Sequence, residues 1–131
     1  MAFFTPSRLR VIVSLDRISL VREDGKRWDH PAQVWWDDQT KQVTGIGNGP
    51  IPKAAPVPLF QPSQIPRDKL PLLERFFMVA LGNAIADAFL RWKPRVVVEG
   101  VDSLESALAG YQRGALRTAL LAGGAMSVTF E

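Results

Sequence analysis

The sequence predicts an α/β protein, α+β-like in its mixed sheet, with a β-meander followed by an α-β-α-β run. Three observations carry this. Short β-rich runs crowd residues 9–46: Leu9–Leu15, Ile18–Val21, Gln33–Trp36 and Gln42–Ile46. Two long stretches with helical periodicity follow, from Asp68 to Lys93 and from Ser103 to Ala122. Between and after them lie Pro94–Gly100 and Ala125–Glu131, compact runs that complete a βαβ unit. Ligands of such units sit at the carboxyl ends of the strands.

In the first region, Asp24-Gly25 marks a turn and Asp37-Asp38-Gln39-Thr40 a hairpin. The four runs give three or four strands of one antiparallel meander. Residues 47–66 change character, with six prolines and two glycines. Proline removes a backbone donor and fixes φ, so an irregular connector is expected. The prolines recur mostly every four residues, which fits a plain linker better than a polyproline ligand with its three-residue turn. Gly45-x-Gly47-x-Gly49 runs into proline rather than a helix and reads as a loop.

The first helix has Asp68 as a candidate cap and Pro71 in its first turn. Leu73, Phe77, Leu81, Ile85 and Phe89 recur every four residues, and Phe76, Ala80, Ala84 and Ala88 widen the stripe. So broad an apolar face belongs against a sheet. Pro94 stops the helix near Lys93. The second helix opens on Asp102-Ser103-Leu104-Glu105, a capping-box pattern. Its buried face is read as Leu104, Leu108, Tyr111, Ala115, Leu116, Ala119 and Leu120, with Gly123-Gly124 as the stop. The whole is one domain: a flexible start at 1–8, the meander at 9–46, the connector at 47–66 and the α-β-α-β part at 67–131.

Composition narrows the chemistry. The chain has 131 residues, 47% apolar and 22% charged, enough for one ordinary core. The absence of cysteine rules out disulfides, thiolate metal sites and cysteine nucleophiles, and a single histidine rules out a histidine-rich metal site. Met1-Ala2-Phe3-Phe4 meets Pro6 too early for a secretory signal. The longest apolar stretch, Phe76–Leu90, carries Asn83 and Asp87 and falls short of the roughly 18 residues of a membrane span. Cytoplasmic residence is the expectation. A net charge of +3 permits nucleic acid or anionic lipid as a partner, but the basic residues are interleaved with acidic ones and single out neither. Phe3 and Phe4 beside Arg8 and Arg10 would give peripheral membrane contact at most.

Three passages carry a family likeness. Arg10-Val11-Ile12-Val13-Ser14-Leu15-Asp16-Arg17-Ile18-Ser19 has the form of a strand running into a D-x-G-T phosphate loop. Pro58-Leu59-Phe60 precedes a long helix, and P-R-V-V-V-E-G-V-D-S is followed by A-L-L-A-G-G-A. In these the chain resembles the ribonuclease-H-like fold and, more narrowly, the first subdomain of actin-like ATPases, the bacterial rod-shape (MreB-type) proteins above all. The resemblance implies ATP binding in the family. Here Asp16, Arg17 and Ser19 remain as a phosphate-loop remnant, while Ile18 stands at the glycine position. A β-branched residue obstructs the close backbone approach a phosphate needs. The family's second domain is not encoded before Glu131, so one wall of a nucleotide cleft is expected, truncated and degenerate. The small inserted subdomain is expected to be replaced by the linker at 47–66.

The resemblance also implies a catalytic alternative. Ribonuclease-H-like enzymes take carboxylates from the first strand, the first helix and the strand before the second helix. Asp16, Glu74 and Asp102 occupy those places, with Glu99 as a substitute for Asp102. Two Mg²⁺ ions held between them would make a nuclease or phosphoryl-transfer site. The plainer reading makes Asp16 a turn residue, Glu74 a solvated helix residue and Asp102 a cap. Trp35 and Trp36 are adjacent in a strand and face opposite ways. One joins the core; the other covers the outer face alongside Trp28 or offers an aromatic to a base or partner. His30, before Pro31, reads as structural. The leading expectation is a non-catalytic module without cofactor that works through an unidentified protein partner. The final strand would be the interaction edge, through Val128 and Phe130, to a partner strand or a second copy.

Overall fold

A computed structural model describes residues 8–47, 51–60, 69–86, 93–104 and 109–131. The strands are β1 (Arg8–Val13), β2 (Arg17–Arg22), β3 (Arg27–Pro31), β4 (Gln33–Asp37), β5 (Gln42–Ile46), β6 (Ala55–Pro58), β7 (Arg95–Glu99) and β8 (Ser127–Phe130). The helices are α1 (Leu70–Ile85) and α2 (Ala109–Gly123), and Val101–Leu104 is a 3-10 turn. Among the described residues no helix is long and apolar enough to cross a membrane.

The strands form two sheets rather than the single one expected. The larger has the order β3-β2-β1-β7-β8, and the smaller β5-β4-β6. In the larger, β1 pairs antiparallel with β2 and parallel with β7, which pairs parallel with β8. The expected meander therefore divides. Its first part gains a strand, β3, and its second part belongs to the small sheet. The expected connector is corrected as well. Ala55–Pro58 is a strand that pairs antiparallel with β4, Val57 opposite Val34.

Ala32 alone separates β3 from β4. Its amide donates to the Asp16 carbonyl at 3.0 Å, and its own carbonyl accepts from the Leu59 amide at 2.9 Å. The residue that leaves the large sheet is thus bonded both to the β1–β2 hairpin and to the chain emerging from β6.

One face of the large sheet is apolar because its strands alternate. Leu9, Val11 and Val13 of β1, Ile18 and Leu20 of β2, Val96 and Val98 of β7, and Val128 of β8 are buried. They join α1 and α2 in one core centred on Phe76, Phe77, Leu81, Leu116 and Leu120. Burial of side chains this size stabilises by about 1.5–3 kcal/mol each before conformational entropy is counted. Leu59 and Phe60 enter the same core directly after β6. The predicted helical stripes are confirmed at Leu73, Phe76, Phe77, Ala80, Leu81 and Ala84 of α1 and at Ala115, Leu116, Ala119 and Leu120 of α2.

The helix ends differ in part from expectation. Pro71 lies in the first turn of α1, but the cap position is Lys69, which makes no side-chain cap bond. Leu104 is buried in the 3-10 turn, where the capping-box pattern begins, and Ser103 bonds backward to the Gly100 carbonyl instead of capping forward. At the end of α2 the Gly124 amide bonds to Leu121 O and the Ala125 amide to Leu120 O, with Gly124 at φ +121°. That is a Schellman closure, which needs a residue tolerant of positive φ. Asp68, Ala88, Phe89, Glu105, Leu108, Phe3, Phe4 and the side chain of Tyr111 lie outside the described residues.

Candidate functional site

Because β1 and β7 run parallel as neighbours, their carboxyl ends lie at the same end of the sheet. Two loops meet there: Ser14-Leu15-Asp16 after β1, and the turn that begins at Gly100 after β7. The first is closed on itself. The Ser14 amide donates to the Arg17 carbonyl at 2.9 Å. Ser14 Oγ lies 3.1 Å from that same carbonyl and 3.2 Å from Asp16 Oδ1. The loop contains no glycine, and neither Leu15 nor Asp16 has positive φ. Leu15 is exposed across it.

The neighbouring turn seals against this hairpin. Ser103 Oγ reaches both Gly100 O at 2.7 Å and Val13 O at 3.2 Å. Gly100 sits at φ +86°, and a Cβ there would come within 2.3 Å of Val13 O. Ile18 stands opposite Val13 and is fully buried in the core. The isoleucine at the expected glycine position is thus a core residue.

Of the phosphate-loop remnant, Asp16 and Arg17 stay at the hairpin, whereas Ser19 is buried and hydrogen-bonds the Asp29 carboxylate. That bond, with help from Arg27, holds the Asp29 carboxyl below its ordinary range. A cavity of about 210 Å³ beside the hairpin is lined by Asp16, Arg17, Asp29, His30 and Pro31. Asp29 is already paired with Arg27 at 3.0 Å, so the lining offers a phosphate only the Arg17 guanidinium, with the Asp16 carboxylate beside it. His30 turns inward. Its ring packs edge-on against Phe76 at 5.8 Å, and its Nε2 is buried without a hydrogen-bond partner.

The carboxylates of the catalytic alternative do not assemble. Among the described residues no three His, Asp or Glu side chains are placed to hold a metal ion. Asp102 is exposed and faces Arg113, 3.6 Å away. Glu74 is half-buried on α1. Glu99 lies on the opposite face of the sheet, bound by the Arg10 guanidinium through Nε and, at 3.0 Å, through Nη2. That pairing holds its carboxyl below the ordinary range.

The final strand is a sheet edge, as expected, but the two side chains named for its contact face inward in whole or in part. β8 is last in its sheet, so its outer side has no strand neighbour among the described residues. Val128 packs into the core, and Phe130 is half-buried with the Arg117 guanidinium 5.5 Å from its ring. Ser127 and Thr129 are the side chains that this strand exposes. The tryptophans also sort unevenly. Trp35 is buried and donates its indole N–H to Gly47 O at 3.0 Å; Trp36, across a bulge, is half-buried. Trp28 belongs to the other sheet, where Arg22 lies 5.6 Å from its ring. Sequence reasoning passed over Ser14 and Gly100, although a glycine directly after a buried strand is a readable sign of close backbone approach.

A three-stranded antiparallel meander continued by parallel strands, with two helices packed on one face, defines an actin-like fold. Among solved structures the chain is similar to MreB 5 of Spiroplasma citri bound to AMPPNP, with a TM-score of 0.66 and 14% identity over 97% of this chain and 38% of that one. It is also similar to a non-polymerising mutant of MamK bound to AMPPNP, with a TM-score of 0.58 and 11% identity over 95% of this chain and 41% of that one. The chain spans about two fifths of the length of these neighbours. No protein-family model matches the sequence, and no curated protein matches it.

Proposed function

We propose that this chain is a non-catalytic, cytoplasmic, actin-like module that acts by protein–protein contact within a cell-shape or other assembly machinery. The observation that carries the reading is the closed hairpin after β1. Its first amide is used internally, its isoleucine faces the core, and two carboxylates stand beside it. A phosphate cradle needs free backbone N–H groups in a glycine-lined loop. The loop has no glycine and no residue of positive φ to shape such a cradle, so the actin-like scaffold serves as a surface. The outer side of β8 is the contact strand, because an unpaired edge offers backbone groups to a further strand.

Two measurements test this. Calorimetry with AMPPNP and Mg²⁺ is expected to show no binding heat, and tight uptake would overturn the reading. Size-exclusion chromatography with light scattering reports self-pairing through β8. A dimer that Thr129→Lys converts to monomer assigns the edge to a second copy. A wild-type monomer at high concentration leaves the edge to a partner strand from another protein.

A further inference from the structure

A second surface lies away from both the hairpin and β8. Between the small sheet and the first turns of α1 is a groove of about 560 Å³. Its floor is apolar, made by Trp36, Val43, Val57 and Leu72, all half-buried. Its rim carries Lys41, Lys69 and Arg75, and no carboxylate is among the described residues that line it. Asp38, at the nearby turn, interacts with Lys41 and Trp36. Among the described residues the other two cations meet no acid. Lys69 Nζ donates to the Pro58 carbonyl at 2.9 Å, and Arg75 Nη1 contacts the Met78 sulfur at 3.3 Å.

We infer that this groove binds an acidic peptide segment of a partner protein, one large apolar side chain entering over Trp36 and Val57 while flanking carboxylates meet Lys69 and Arg75. The volume is that of a site for one or two large side chains. The charge argument is direct: among the described residues, one ammonium and one guanidinium without a carboxylate partner stand over an apolar floor that a partner would keep from water. Trp36 is the floor's one aromatic and is half-buried beside Val43, Val57 and Leu72, which favours a peptide side chain over a nucleic acid, whose bases stack on open aromatic faces. The inference rests on the contact-module reading but names a different surface, so the two fail separately. AMPPNP uptake overturns the module, and the peptide experiment decides the groove.

The test is selection of a random displayed peptide library on the intact chain, with mapping of amide shifts by the selected peptides. Enrichment of Asp and Glu around an aromatic or aliphatic residue is expected, with shifts at Trp36, Val57 and Leu72. The double variant Lys69→Glu, Arg75→Glu should weaken the selected peptides at least about tenfold, or about 1.4 kcal/mol. Lys69→Arg should retain them. Absence of acidic enrichment, shifts confined to β8, or undiminished affinity in a natively folded double variant would each overturn the assignment. So would oligonucleotide binding that shifts the same amides more strongly than any selected peptide. Should the double variant not fold, the shift map on the unaltered chain decides alone.

Discussion

The carbonyl oxygen of Val13 lies 2.3 Å from the point where Gly100 would carry a Cβ. No real side chain tolerates that distance, and the φ of +86° at Gly100 disfavours any L-residue. The last residue of β1 and the first residue after β7 are therefore locked back to back. Gly100→Ala is expected to destabilise by about 2–4 kcal/mol, strain and clash together. Urea denaturation measures it, and a loss below 1 kcal/mol would show that the two loops can part. The milder Ser103→Ala should cost about 1 kcal/mol by removing the hydroxyl bonded to the same carbonyl.

The helical glycines divide by what surrounds them. A Cβ at Gly123 would meet the Phe77 and Met78 backbone at 2.9 Å, where α1 and α2 come together. Gly123→Ala should cost about 1–3 kcal/mol, as overpacked contacts do. Gly114, within α2, has no atom of the described residues beyond its chain neighbours and own helix backbone within 4 Å of that position. Gly114→Ala should stabilise by about 0.5–1 kcal/mol, because alanine loses less backbone freedom on helix formation. Thermal melts of the two variants should shift in opposite directions.

His30 makes stability depend on acidity. Burial lowers its pKa, against a smaller opposing effect from Asp29. The unfolded chain therefore binds a proton at a higher pH than the folded chain does. Its contribution to stability is complete above the ordinary histidine value of about 6.5 and is lost as the pH falls below it. Urea midpoints should decline from pH 7 to pH 5 in the native chain, with a smaller decline in His30→Leu. Equal slopes in the two proteins would mean that the buried imidazole does not contribute.

Ile18 offers a test of the proposed function itself. It is fully buried opposite Val13. Ile18→Gly restores the D-x-G pattern but deletes a core side chain, at an expected cost of about 3–5 kcal/mol. AMPPNP binding should not appear in the folded fraction, because the Ser14 amide is still consumed by Arg17. Gain of nucleotide binding by that single change would show that the isoleucine alone had closed the loop.

Much of the larger sheet and both helical faces could be read directly, since Leu9–Val13, Val96–Val98 and the α1 stripe have strong periodicity and few proline interruptions. The two strands that escaped notice, β3 and β6, end in or alternate with proline: R-W-D-H-P and A-P-V-P. Proline cannot donate to a sheet ladder and is confined to edges. Both strands are in fact edges of their sheets. Prolines read as punctuation were marking borders. The spacing of the carboxylates misled for a different reason. Chain order places Asp16 and Asp102 near one end of the sheet, but the direction of each side chain is set by turn geometry, which spacing does not encode. The groove beside Trp36 was invisible for the same cause: it joins β4, β5, β6 and α1, and β6 had been counted as linker.

Ala32 has one further consequence. With its amide fixed to Asp16 and its carbonyl to Leu59, the bridge between the sheets has no slack. Moving the smaller sheet against the larger would therefore have to break backbone bonds at the hairpin and at the exit of β6, so the seam between the sheets is sewn on both sides of a single residue.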